Sequence, residues 1–254
     1  MSQISLSRIS RYPVKGLDEQ SLQQTELKPG QALPGDRRFA LAHGASSYDA
    51  AAPAWAKKAH FLNWARTPAI ASLRSQFDAS GCRLSLRENG QDVLAEVNLT
   101  EPAGRDALCA FLVARLPNET RGKLSLAEAP GISFSDVDLP LISIQNSASL
   151  ADLAMHAGRE VDQRRMRGNL LLDSAAPWAE MAWIGKQLRI GGAVLEVIEA
   201  IGRCPATMVN PESGQRDLET LDLLNKHYGH QDCGIYAKVI QGGMIKVGDA
   251  ASLL

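Results

Sequence analysis

The sequence predicts a mainly β protein with several helices (α+β), and three observations carry that assignment. Short runs of alternating or β-branched residues recur along the chain, separated by turns rich in Gly, Pro and Asp. Only a few stretches carry a helical period. A chain of 254 residues is long enough to bury two cores, and periodicity is lost over 127–138. The expected organisation is an amino-terminal β-barrel-like domain, 1–130, followed by a second β-barrel domain, 131–254.

In the first half, "ISLSRI", "SLQQTEL" and "RRFALA" read as strands, with turns in "VKGLDEQ" and "KPGQALPGD". The stretch 69–99, "AIASLRSQFDASGCRLSLRENGQDVLAEVNL", continues as strands that turn at "ASG" and "ENGQD". Two helices are expected between them. "PAWAKKAHFLNWA" is one, and "TEPAGRDALCAFLVARL" is the other, with Thr100 as cap, Pro102 in the first turn, and Leu108, Phe111, Leu112 and Leu116 on one face. In the second half, "SASLADLAMHAG" aligns Leu150, Leu153, Ala154 and Ala157 on a helix, and "RGNLLLD" follows as a strand. "KQLRIGGAVLEVIEAIG" reads as a hairpin turning at Gly191-Gly192, and "LETLDLLNKHY" as a helix with Leu218, Leu221, Leu224 and Tyr228 inward. "GIYAKVIQGGMIKVGD" reads as a final hairpin.

Composition narrows the function. Hydrophobic residues at 45%, charged residues at 22% and a net charge of -1 give no general attraction to nucleic acid or anionic lipid. No apolar run has the length of a signal-peptide core or of a membrane helix, so a cytoplasmic protein is expected. No long heptad pattern is present, and a monomer is the expectation.

The four cysteines, Cys82, Cys109, Cys204 and Cys233, form no CxxC pair, which argues against a disulfide framework or a four-thiolate cluster. Cys82 and Cys109 read as small buried residues. Cys204, in "GRCPATMVNP", lies between Arg203 and Pro205 at the end of an apolar strand. A neighbouring guanidinium and an interrupted ladder favour a thiolate, hence a nucleophile, a redox sulfur or a soft-metal ligand. A small residue filling a strand end is the equal alternative on local features. In "HYGHQDC" the groups His227, His230, Asp232 and Cys233 could ligate zinc, but no second cluster completes a site, and a solvated helix end is expected.

Basic residues gather in three turns: Lys15 in "YPVKG", Arg37 and Arg38 in "PGDRRF", and Arg164, Arg165 and Arg167 in "DQRRMRGN" with Asn169 after them. Each alone reads as a solvated face; together with Arg203 they could surround an anion, since arginine forks match phosphate oxygens. No Walker loop, GxGxxG or GxSxG accompanies them.

"DLPLISIQNSASLADL", "VDQRRMRGNLLLD", "AEMAWIGKQLRIGGAVLEV", "GRCPATMVNPESGQRD" and "GGMIKVGD" follow one another in an order that resembles the MOSC domain. "ISRYPVKG" and "GDRRFAL" resemble the β-barrel domain that precedes MOSC in the mitochondrial amidoxime-reducing component and its bacterial relatives. The resemblance implies a molybdenum cofactor (Mo-molybdopterin), with Cys204 as metal ligand and catalytic centre. Lys15, Arg37 or its neighbour Arg38, Arg167 and Asn169 would hold the pterin, helped by Arg203. Asn146 and Ser147 match a segment near the metal, and Ser147 stands where the mitochondrial enzymes carry an acid. Met166, Asn210 and Ser213 depart from the family pattern as packing and turn variations.

The activity implied is two-electron reduction of small N-hydroxylated compounds (amidoximes, hydroxylamines, N-hydroxylated bases). No closely spaced cysteines provide an iron–sulfur domain, so a separate electron-donor protein is expected, a ferredoxin or flavin reductase or a cytochrome. The competing reading is a cofactor carrier or a sulfur-transfer protein using Cys204 without reductase turnover; the pyridoxal-phosphate-dependent desulfurase domain of the sulfurases has no counterpart in the sequence.

Overall fold

A computed structural model describes residues 4–49, 52–129, 131–174 and 176–254. The amino-terminal half supplies β1 (Ile4–Arg11), β2 (Gln20–Leu22), β3 (Gln24–Leu27), β4 (Phe39–Ala42), β5 (Arg74–Asp78), β6 (Arg83–Glu88), β7 (Gln91–Asn98), α1 (Pro102–Arg115) and β8 (Ser125–Glu128). The carboxyl-terminal half supplies β9 (Ile142–Asn146), α2 (Ser147–Ala157), β10 (Leu170–Asp173), β11 (Gln187–Ile190), β12 (Ala193–Gly202), α3 (Thr220–Tyr228), β13 (Asp232–Gln241), β14 (Gly243–Lys246) and β15 (Ala250–Leu253). The mainly β class is borne out.

Strands β10, β9, β13, β12, β11, β15 and β1 pair in that order, and β1 pairs back onto β10 to close a seven-stranded barrel; β2 extends β1 outside it. Among the described strand pairs only β9 and β10 run parallel, joined through α2. Alternation along these strands sends Ile144, Leu195, Val197, Ile235 and Ala237, all fully buried, into one core with Leu6 and Ile9 of β1. The amino-terminal half builds a separate core, in which Leu108 and Leu112 of α1 pack with Leu84 and Leu86 of β6 and Phe39 and Leu41 of β4. Short 3₁₀ turns, one of them Pro205–Met208 directly after Cys204, punctuate the connections.

Local expectations held where local chemistry decides. The Gly191-Gly192 turn joins β11 to β12 as expected. The faces of α1 and α2 bury Leu108, Leu112, Leu150 and Leu153. Four expectations are corrected. Residues 53–65 hold only a 3₁₀ turn, Lys58–His60, because the segment turns its backbone to β4: Leu62 donates to the Leu41 carbonyl at 2.9 Å and His43 to the His60 carbonyl at 3.0 Å. Residues Pro68–Ser72 form a 3₁₀ turn rather than a strand, with Pro68 in its first position. Thr100 does not cap α1; its amide and hydroxyl both bind the Asn98 side chain, at 2.9 and 2.7 Å, and Glu101 is the boundary residue. The final hairpin does not form, because β14 leaves β13 and pairs with β3.

Candidate functional site

A cleft of about 410 Å³ opens between the two halves, and Cys204 lies in it. Strand β12 ends at Gly202, Cys204 follows in extended backbone (φ -128, ψ 170), and its carbonyl accepts from the Thr207 amide at 3.1 Å and hydroxyl at 3.0 Å. The residue is half-buried, so the sulfur is fixed by its backbone yet reachable from the cleft. The other cysteines differ. Cys82 and Cys109 are buried, as expected, and burial pushes the thiols of Cys109 and Cys233 up to about 11, where they stay protonated.

Of the residues singled out from the sequence, Lys15, Arg37, Arg165, Met166, Arg167, Asn169, Arg203 and Cys204 line the cleft. Two of the arginines sit on unusual backbone: φ is 46° at Arg37 and 51° at Arg167. A left-handed conformation costs a residue with a Cβ roughly 1–2 kcal/mol, and such outliers cluster at functional sites. The guanidinium groups of Arg37 and Arg167 each lie 4.3 Å from the Tyr12 ring centroid, and Arg167 also lies 4.6 Å from that of Trp64. Arg37 donates to the Arg167 carbonyl at 2.7 Å, and Arg167 to the Leu17 carbonyl at 2.9 Å. Burial drives the Arg167 guanidinium down to about 10, with Tyr12 opposing and Arg37 adding to the shift. Its buried Nη1 has no hydrogen-bond partner among the described residues.

Lys15 is pinned differently. Its ammonium donates to the Phe134 carbonyl and to Asp136 Oδ1, both at 2.7 Å. Burial lowers its pKa, with the Asp136 carboxylate opposing. Gly16 makes the turn possible: at φ +87 it carries no Cβ, which would fall 2.9 Å from the Leu62 carbonyl. Asn169 and Arg203 are used mainly by the scaffold. Asn169 Oδ1 accepts from the Ser143 hydroxyl at 2.8 Å and amide at 3.1 Å, and its amide nitrogen donates to the Ser10 carbonyl at 3.2 Å, which ties β1, β9 and β10 together. Arg203 donates from Nε to the Cys233 carbonyl at 2.7 Å and from Nη1 to the Met166 carbonyl at 2.9 Å.

Three of the residues expected to border the cofactor do not join them. Arg38 reaches Glu128 at 2.8 Å and the Cys82 sulfur at 3.0 Å, outside the cleft, because the left-handed turn at Arg37 sends the two side chains apart. Asn146 caps α2, accepting from the Ala148 amide at 3.1 Å, and donates to Glu180 and the Ala176 carbonyl, both at 2.9 Å. Ser147 follows it into the helix, and neither lines the cleft. The carboxylate that does line the cleft is Asp136, on a different segment. Its carboxylate bridges Lys15 and Lys58, the latter at 3.0 Å. Burial would raise its pKa, but the two ammonium groups hold it well below the usual carboxylate range.

Lys58, Asn63 and Asp136 all line the cleft, and the sequence reading missed them. Burial works against the Lys58 charge, but Asp136 and Cys204 nearby outweigh it and the pKa rises. The "KK" pair and the "SFSDVD" run were the available signals, hidden in an assigned helix and an assigned boundary. "HYGHQDC" gives no metal cluster: among the described residues no group of three or more His, Cys, Asp or Glu is placed to hold an ion, and His227 instead stacks on His156 with centroids 3.9 Å apart. Among those residues, too, no helix is long and apolar enough to cross a membrane.

A soft sulfur at one point of the cleft, and buried cations including an unpartnered guanidinium N–H, form a donor set that fits an anionic group carrying a thiophilic metal. Mitochondrial amidoxime-reducing component 1 of Homo sapiens is 33% identical over 135 residues, 48% of this chain and 39% of that protein. The protein of the same name from Mus musculus is 26% identical over 201 residues, 74% and 58% of the two chains. The molybdenum cofactor sulfurase of Drosophila mojavensis is 30% identical over 112 residues, 42% of this chain and 14% of its own. In each case the match spans less than two thirds of the relative's length. A profile described as the MOSC N-terminal beta barrel domain matches residues 3–120, and one described as the MOSC domain matches residues 138–252. With nearly all of its length accounted for by these two profiles, the chain belongs to the family of MOSC domain proteins that carry a MOSC N-terminal β-barrel domain.

Proposed function

We propose that the cleft binds a molybdenum–pterin cofactor and that the protein reduces small N-hydroxylated compounds with electrons from a separate redox protein. The observation that carries this reading is the placement of the half-buried Cys204 sulfur in the same cleft as Lys15, Arg37 and the unpartnered Nη1 of Arg167. Cys204 would ligate the metal, a thiolate being the soft ligand such a centre takes. Lys15, Arg37 and Arg167 would hold the pterin phosphate, and a phosphate on Nη1 would satisfy the orphaned donor. The bound cofactor supplies two-electron oxygen-transfer chemistry, so that R–NH–OH, two electrons and two protons give R–NH₂ and water. Asn169 and Arg203 keep the barrel rim in register through their backbone contacts. Asp136 and Lys58 border the space beside Cys204, where their opposite charges would orient a polar N–O group.

The match to a molybdenum cofactor sulfurase favours a second reading, in which Cys204 carries sulfur for transfer. One experiment separates the two: molybdenum and pterin content of wild type and Cys204→Ala, each purified from a host that makes the cofactor. Near-stoichiometric molybdenum in the wild type and at least a tenfold loss in the variant is the expected outcome, followed by reduction of an amidoxime with a ferredoxin or cytochrome donor. Pterin without metal in both proteins would overturn the reductase reading in favour of carriage. Neither pterin nor metal in folded wild type, with sulfane sulfur on Cys204, would favour transfer.

A further inference from the structure

A second hollow, of about 400 Å³, adjoins the cleft and shares Lys58, Asn63 and Asp136 with it; Trp55, Lys57 and Arg66 complete its polar and aromatic lining. We infer that this annex is a substrate subsite for a planar compound that presents an N–H donor at one end and an anionic tail at the other. The inference rests on the proposed function for the reaction, while its binding geometry stands on the following residues.

Charge is the first. Lys57, Lys58 and Arg66 face the hollow against a single carboxylate, Asp136, which already bridges Lys15 and Lys58. Among the described residues neither Lys57 nor Arg66 has an acidic partner within 4.0 Å, so two cations remain available to an anion that enters from solvent.

Asn63 is the second. The residue is only 9% exposed, and its amide nitrogen donates to the Lys58 carbonyl at 3.0 Å and the Phe61 carbonyl at 2.9 Å. Those two acceptors fix which end of the amide is nitrogen, because the flipped group would set an oxygen against two carbonyls. The Oδ1 atom is left buried and without a donor. An orphaned buried acceptor costs about 1–3 kcal/mol, which a ligand N–H or O–H at the junction of the two spaces would recover. Amidoximes and N-hydroxylated aminopyrimidines carry both.

Trp55 is the third. Its indole nitrogen donates to the Ser135 carbonyl at 3.2 Å, which pins a half-buried ring in the wall. A pinned indole offers a flat face to a planar body. Donor head at Asn63, ring at Trp55 and tail at Lys57 and Arg66 then describe one ligand, whose head lies in the space shared with Cys204.

The test is calorimetric titration of protein purified with its cofactor, using cytidine, cytidine 5′-monophosphate and ribose 5-phosphate as non-reducible probes. The monophosphate is expected to bind roughly tenfold tighter than either of the others, with an advantage over cytidine that shrinks in high salt. That advantage should vanish in the Lys57→Gln/Arg66→Gln double variant, whose two sites are exposed and leave folding unaffected. Equal binding of cytidine and its monophosphate, or an advantage that survives the double variant, would overturn the anionic subsite. Ribose 5-phosphate binding as tightly as the nucleotide would overturn the role of Trp55 and Asn63. Molybdenum content measured on the same samples reports separately on the cofactor, so a failed subsite and a failed reductase reading are told apart.

Discussion

On one wall of the cleft, Arg167, Asn169, Arg203 and Cys204 stand on or beside the ends of β10 and β12; on the other, Lys58, Asn63 and Asp136 stand on segments with almost no regular structure. The barrel wall is held by ladders on both sides of each strand and by a core of fully buried Leu, Ile and Val. The irregular wall is stitched on by single bonds, such as Leu62 to the Leu41 carbonyl and Phe134 to the Arg37 carbonyl, each at 2.9 Å. A site that needs a metal ligand fixed to fractions of an ångström gains from strands, whereas a site that must fit a substrate gains from loops. The proposed division of labour follows that difference: cofactor anchoring centred on the barrel and the turns packed on it, substrate fitting on the irregular wall.

The comparison can be broken in order of effect. Leu195, fully buried in the barrel core, should lose about 2–5 kcal/mol of stability on truncation to Ala, measured by denaturant unfolding. A loss under about 1 kcal/mol would mean the barrel is not the rigid frame. Asn169→Ala should cost about 1–3 kcal/mol, because it leaves Ser143 and the Ser10 carbonyl short of partners at the joint of three strands. On the opposite wall Lys58→Gln should change stability by no more than about 1 kcal/mol, since its ion pair with Asp136 is 39% and 41% exposed. A larger loss there would make the two walls equivalent.

The smallest effect is expected outside both walls, where His227 stacks on His156 between α3 and α2. Local desolvation at the stack, then the His156 and Lys226 charges, depress the His227 pKa, against the pull of Asp152. A histidine with a depressed folded pKa contributes its stability above the unfolded value, about 6.5, and loses it as pH falls. Melting temperature should therefore decline slightly more steeply below about pH 6.5 in wild type than in His156→Gln. Identical profiles would show that the stack has no electrostatic consequence.

What the sequence revealed was what local chemistry decides. Gly191-Gly192 announces its hairpin, the spacing of Leu108 and Leu112 announces α1, and Pro205 marks the point where Cys204 leaves its ladder. Non-local pairing was illegible: nothing near "GGMIKVGD" says that β14 prefers β3 to β13. Side-chain direction was equally hidden where two candidates are adjacent. Arg37 faces Tyr12 and Arg38 faces Glu128, a choice set by the left-handed backbone at Arg37. The polar half of the irregular wall was missed for a related reason: Lys58 and Asp136 become neighbours only once Phe61 and Phe134 have packed into one aromatic cluster.

The closure of the barrel by β1 couples two distant stretches of the sequence in time as well as in space. Strand β1 is held between β10 and β15, so during synthesis its edges wait for partners that lie far along the sequence. Contacts of such long sequence separation make for slow final folding, and the nascent chain would need β1 shielded meanwhile. A fragment cut at 131, lacking β1, would expose the edges of β10 and β15 to each other's counterparts in neighbouring copies, and aggregation rather than an autonomous barrel is the expected fate.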